Sequence, residues 1–225
     1  MKKLSNKGKY FLEICILVSS LILACIFWNS KLFFPVKLFV VLLHETSHAL
    51  VTLLTGGTVD QIAVSLQIGG SCISKGGNSA MIACAGYLGS VIFGGLLFYS
   101  SCNFNFNRIL SNMLAILFLL ILILFVRGTL GIALILGIIL FLALSPRLLP
   151  RQGHLILTSI LGALSLLYAV IDMQEDLFQD GYRQTDAQLI ASLTGIPALI
   201  WSLLWMAIAV LILFFLLKKK FRVKW

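Results

Sequence analysis

Long apolar runs separated by short polar turns decide what this chain can fold into. They lie at about 11–28, 33–54, 79–100, 109–126, 129–145, 154–172 and 195–217, and runs of roughly 17–25 apolar residues are the length a helix needs to cross a bilayer. Inside lipid the backbone must satisfy its own polar groups, which selects helices or closed barrels. Charged residues make up 11% of the chain, against about 25% in a soluble domain. No small-residue cleavage pattern follows the first run, so it reads as a retained span and not as a signal peptide. The expected fold is an all-α polytopic membrane protein with about six to seven transmembrane helices, forming a single integral membrane domain over residues 1–225.

Two departures refine that reading. Residues 109–145 are continuously apolar except at Arg127-Gly128. One helix of that length would be ~55 Å long, too long for a ~30 Å hydrocarbon core, so two spans meeting at Arg127-Gly128 are expected. After the second span, Ile62, Val64, Leu66 and Ile68 alternate with Ala63, Ser65 and Gln67, and Gly69-Gly70 and Gly76-Gly77 punctuate the segment. A period of two bounded by glycines predicts a short strand or hairpin over about 58–75. In the third span Gly86, Ser90 and Gly94 fall four apart, a flat face for close helix packing.

The net charge of +9 sits mostly at the two ends, with Lys2, Lys3, Lys7 and Lys9 before the first span and "KKKFRVKW" after the last. Clusters of this kind anchor helix ends in anionic headgroups. Without aromatic-basic interleaving or a recognition motif, nucleic acid is excluded as a partner. With seven spans, the Lys and Arg residues divide seven to ten between the two sides, which leaves the orientation undecided. Both ends resemble cytoplasmic ends, as an even number of spans would allow. The five cysteines form no C-x-x-C pair and read as small packing residues.

The chemistry is carried by the second span, about 33–54. His44-Glu45-Thr46-Ser47-His48 is an H-E-x-x-H sequence. Two histidines four apart on a helix share a face and can ligate one zinc ion at about 2.0–2.1 Å. Glu45 is turned about 100° from His44, so it can reach a water polarised by the metal and serve as its base. A chain with this many His and Glu residues would show the motif by chance roughly once in 2,000 sequences. Ionisable side chains this deep in a span cost about 2.5–3.5 kcal/mol each and are functional by default. His44 and His48 are therefore expected zinc ligands, one zinc ion per chain, with Glu45 catalytic.

A catalytic zinc needs a third protein ligand and an open position. His154 opens the sixth span and reads as an interfacial residue. Asp172, in "SLLYAVIDMQ", ends that span on the side where the histidine helix ends, and is the favoured third ligand. Asp186 is the alternative, although "TDAQ" also reads as a capping box with Thr185 as N-cap and Gln188 three residues on.

These residues resemble the site-2 protease class of intramembrane zinc metalloproteases, most closely its compact M50B-like branch. The likeness lies in "HETSHALVTLLTGGTVDQIAV", "AGYLGS" and the late "YAVID" and "TDAQLIASLTGIPALIWSLLW" blocks, over about 40–95 and 165–206. It implies an endopeptidase that cuts a membrane-protein substrate within or next to its transmembrane segment, with His44 and His48 on zinc and Glu45 activating water. The strand at 59–68 would then be either an edge for an extended substrate or a loop strand covering the site. Better-known members draw the third ligand from an Asn/Asp-Pro-Asp-Gly or Leu-Asp-Gly motif; here the only Asp-Gly is Asp180-Gly181, without the proline or the leucine.

The lipid bilayer is the expected surroundings, with multi-pass insertion in the cell membrane. No soluble domain is visible, so substrate selection falls to the membrane part or to a regulatory membrane partner. Competing readings are a metal-binding or transport protein, which would call for further ionisable residues within the spans, and a non-catalytic scaffold, which the intact Glu45 disfavours.

Overall fold

A computed structural model describes the backbone over residues 6–28, 30–31, 33–65, 69–178 and 185–222, and the side chains of these except at 6–10, 25, 65, 169–178 and 221–222. Eight helices and one hairpin follow in chain order: α1 (Asn6–Phe27), α2 (Phe34–Leu54), β1 (Thr58–Ser65), β2 (Gly69–Lys75), α3 (Ser79–Ser100), α4 (Phe104–Phe125), α5 (Thr129–Leu148), α6 (Arg151–Phe178), α7 (Asp186–Thr194) and α8 (Ala198–Arg222). Five of them, α2, α3, α4, α5 and α8, are long and apolar enough to cross a membrane, and α1 carries a shorter apolar run, Phe11–Ala24. The protein is a multi-pass integral membrane protein.

The histidine helix is the most enclosed of the five. In α2, 72% of the apolar window is buried, against 17% in α8, so α8 offers most of its surface to lipid while α2 is wrapped by protein. Pro35 sits in the first turn of α2, where its missing N–H costs nothing. The break expected at Arg127-Gly128 is present: α4 stops at Phe125, and Gly128 turns the chain with a φ of 89° before α5 begins. That left-handed backbone is open to glycine without steric cost.

Two expectations are corrected in the second half. The interval expected between the runs ending near 145 and starting near 154 shrinks to Leu149-Pro150, because α5 carries Pro146 in its last turns and runs on to Leu148 while α6 begins at Arg151. The polar segment before the last span contains a further helix, α7, which ends at Gly195 in the left-handed region. Pro197 then precedes α8, so α7 and α8 are separate elements.

Glycines set how closely α2, α3 and α6 approach. A Cβ on Gly89 would fall 2.0 Å from Ser47 Oγ on α2, and one on Gly162 would fall 2.5 Å from the Phe98 nitrogen and 2.7 Å from the Gly94 oxygen on α3. Here α3 and α6 touch backbone to backbone, the contact that small residues permit between membrane helices. Gly162→Ala should lower the stability of the detergent-solubilised protein by about 1–3 kcal/mol, as overpacking does. An unchanged thermal midpoint would show that the two helices can separate at no cost.

Opposite the hairpin, polar groups tie the helix ends together. Lys220 donates to Ser101 Oγ at 2.9 Å and Ser159 Oγ at 2.8 Å, and its Nζ lies 2.5 Å from Glu13 Oε1. Asn107 Nδ2 donates to Ser100 Oγ at 2.7 Å and Thr158 Oγ1 at 2.9 Å. A buried cation persists only when paired and fully hydrogen-bonded, and these contacts give Lys220 three partners.

The hairpin expected over 58–75 forms. β1 and β2 pair antiparallel, with Ile62 opposite Cys72 and Val64 opposite Gly70, and an irregularity between Val59 and Gln61. Leu66, Gln67 and Ile68, which the alternation also covered, lie outside the described residues. On its other side Ile62 bridges Val126, just past α4.

Candidate metal centre

Helix periodicity brings His44 and His48 together, and their Nε2 atoms lie 3.1 Å apart. Both rings are buried, at 7% exposure. His48 Nδ1 donates to the Ile82 carbonyl on α3 at 2.8 Å, which leaves its Nε2 lone pair facing inward. A ring N–H held by a backbone carbonyl is the usual orienting contact of a metal-binding histidine. His44 is held by aromatic packing instead: Tyr87 and Tyr168 meet it edge to face, at centroid distances of 5.0 and 5.3 Å. Trp205 stacks on Tyr87 at 4.8 Å, linking α8 to the same wall.

The third group is Asp186. Its Oδ2 lies 3.0 Å from His44 Nε2 and 3.0 Å from His48 Nε2. The local sequence explains how it arrives. Thr185 caps α7, accepting from Gln188 N, while the Gln188 side chain accepts from Thr185 N. The expected capping box is therefore present, and it uses positions 185 and 188. The carboxylate of Asp186, between them, is left to turn toward the histidines.

Three donor atoms with pairwise separations of 3.0–3.1 Å suit a small ion. Tetrahedral zinc with arms of about 2.0–2.1 Å would hold its ligand atoms about 3.3 Å apart, so the triangle is close to one face of that tetrahedron. The surroundings fit as well. A Cβ on Gly86 would fall 2.4 Å from His44 Nε2 and 2.5 Å from His48 Nε2, so the bare glycine keeps space open beside both nitrogens. Among the described residues, His44, His48 and Asp186 are the group able to hold a metal ion.

Glu45 is buried at 5% exposure, and β2 lies against it. A Cβ on Gly70 would meet Glu45 Cγ at 2.7 Å and Oε1 at 2.9 Å, so a strand carrying glycine at this point can close over the carboxylate. Burial, and then the charges of Glu45 and Asp186, push the neighbouring Cys72 thiol up to about 12. It stays protonated at neutral pH.

The remaining expected residues are placed less directly. Asp172, the favoured third ligand, falls within the backbone of α6, and its side chain lies outside the described residues, as does Asp180-Gly181. His154 is fully buried within the protein, with its ring 6.0 Å from Phe104, in the first turn of α6. The sequence reading missed the roles of Gly70 and Gly86 against the site. Gly86 was visible as a packing residue, but nothing in the spacing says that its neighbours are imidazoles.

Apolar helices enclose a His-His-Asp triangle that could hold a metal ion, with a glutamate in the same helical turn. The chain belongs to the Peptidase M50B-like family, whose model matches residues 17–216. No curated protein and no solved structure matches it.

Proposed function

We infer that the chain is a membrane-embedded zinc metalloendopeptidase that cleaves a peptide bond within or next to a transmembrane segment of a membrane-protein substrate. The observation that carries this reading is the convergence of His44, His48 and Asp186 from two distant parts of the chain onto one triangle beside Glu45. His44 Nε2, His48 Nε2 and Asp186 Oδ2 would hold the metal. When bound, zinc supplies a Lewis acid that polarises a carbonyl and makes water acidic enough to attack at neutral pH.

The chain's own residues do the rest. Ile82 O orients His48, and the rings of Tyr87 and Tyr168 orient His44. Glu45 takes the proton of the attacking water and returns it to the leaving amine, the work of a general base turned acid. The hairpin and the surrounding apolar helices keep bulk water away. β1, read from the sequence as either a substrate edge or a strand covering the site, is flanked by β2 and bridged at Ile62 by Val126. An extended substrate would instead lie along β2, the strand that passes Glu45. The cell membrane is the proposed location.

Metal analysis of the purified protein tests the reading. About one zinc per chain is expected in the wild type. His44→Ala and Asp186→Asn should lose it, while Asp172→Asn keeps it. Cleavage of a reconstituted transmembrane substrate should stop after chelation and return with added zinc. A wild type that binds no zinc after reconstitution, or an Asp186→Asn variant with full zinc, would overturn the assignment.

A further inference from the structure

The short helix α7 is held in the bundle differently from its neighbours. It spans nine residues, Asp186–Thr194, and helices shorter than about 12–15 residues are marginal unless tertiary contacts support them. Its ends are set locally, by the Thr185–Gln188 capping box at the start and by Gly195 in the left-handed region at the finish. Pro197 follows and cannot continue the helix. These signals fix where α7 begins and stops. They do not say what keeps it docked.

Few side chains serve that purpose. Ala187 and Ile190 are the buried apolar residues of α7, and Leu189 is partly covered. Residues 192–194 are exposed. The remaining tie at the start of the helix is Asp186, whose Oδ2 lies 3.0 Å from each histidine Nε2.

That tie is favourable only around a cation. His48 Nδ1 donates to the Ile82 carbonyl, so its Nε2 presents a lone pair to Asp186 Oδ2, itself an acceptor. His44 Nε2 is 3.1 Å from His48 Nε2, and a neutral imidazole has one N–H to share among these contacts. Glu45 brings a second carboxylate to the same helical turn. A carboxylate kept from water beside lone pairs is costly unless positive charge lies among them.

The far end of α7 leads back to the same place. Trp201 Nε1, at the start of α8, donates to Thr194 Oγ1 at 3.2 Å. Trp201 lies 6.2 Å from Trp205, which stacks on Tyr87, and Tyr87 meets His44 edge to face. Both ends of α7 therefore bear on the triangle, Asp186 directly and Thr194 through three aromatic rings. The histidines are fixed by other means. Their helix is the most enclosed of the apolar helices, and Gly86 and Gly89 of α3 lie against it with no room for a Cβ.

We propose that α7 is a metal-dependent element, docked when zinc is bound and released in the zinc-free chain, while α2, α3 and α4 keep their places. This rests on the metal reading of the triangle and adds a form of regulation to it. A ligand that binds only the docked form draws the chain toward that form, so part of the binding free energy of zinc goes into ordering α7. Assembly is then sequential: the metal meets His44 and His48, and Asp186 completes the centre as α7 docks. Zinc supply sets the fraction of molecules that are assembled. Its loss opens the wall that α7 forms against α3 and α8.

Hydrogen exchange tests this without reference to cleavage. The wild-type full chain in detergent is compared as zinc-loaded and as chelator-stripped protein, with zinc per chain counted in each sample. The Leu189 and Gly195 amides, bonded to the Thr185 and Ala191 carbonyls, report α7, and amides of α3 and α4 serve as references. Exchange across α7 should be about tenfold or more faster without zinc, with α3 and α4 changed by less than about twofold. Adding zinc alone should restore the protection in step with the zinc bound. One zinc per chain with α7 equally protected in both samples would overturn the proposal and leave the metal centre standing. Equal acceleration of α3, α4 and α7 would also overturn it, because the whole bundle would then depend on the metal. A chain that takes up no zinc would defeat the metal reading, and this proposal with it.

Discussion

Gly86→Ala should purify as a folded protein with almost no zinc. The added methyl would fall 2.4–2.5 Å from the Nε2 atoms of both histidines, well inside contact distance. Either the imidazoles rotate away from Asp186 or α3 moves off α2, and a metal site tolerates displacement of only about 0.5 Å. Elsewhere in a helix the same substitution gains up to about 1 kcal/mol, so loss of metal cannot be put down to a weakened helix. Zinc per chain should fall at least tenfold, within the roughly 10–100-fold range of changes beside a metal site. The helical circular dichroism signal should remain. A Gly86→Ala protein with one zinc per chain would mean that the metal does not sit in the triangle.

Glu45→Gln should do the reverse, keeping the zinc and losing the activity. Glutamine has nearly the same shape, so the packing of Gly70 over this position survives, but an amide cannot accept the proton of water. General-base catalysis contributes about 10²–10⁴-fold, and kcat on a transmembrane substrate should drop by that range with little change in KM. Equal loss of zinc and activity would place Glu45 among the ligands. Unchanged activity would remove it from the mechanism.

Much of this was legible in the sequence, for identifiable reasons. Span lengths are set by bilayer thickness, so α2 and α3 fell within a residue of their expected bounds, and Arg127-Gly128 broke the long run where expected. The H-E-x-x-H spacing is a property of one helix, and both histidines met as the pitch requires. The acid that completes the triangle was harder because it comes from a distant segment, and nothing local says which acid reaches α2. Thr185 and Gln188 appeared to account for the whole "TDAQ" segment as a cap. The cap instead holds Asp186 at a fixed position on the first turn of α7. The closeness of α3 to the histidines depends on Gly86 and Gly89 meeting α2, which is tertiary information.

The separation of the donors along the chain has a consequence for biogenesis. His44 and His48 are made early, and Asp186 follows about 140 residues later. At about 5–20 residues per second, a ribosome needs roughly 7–28 s to cover that interval. During it the histidine helix is already in the membrane without its carboxylate, next to other newly inserted chains. On the protease reading, a nascent molecule could not cut its neighbours, and hydrolytic competence would arrive only after α7 has been synthesised and has docked.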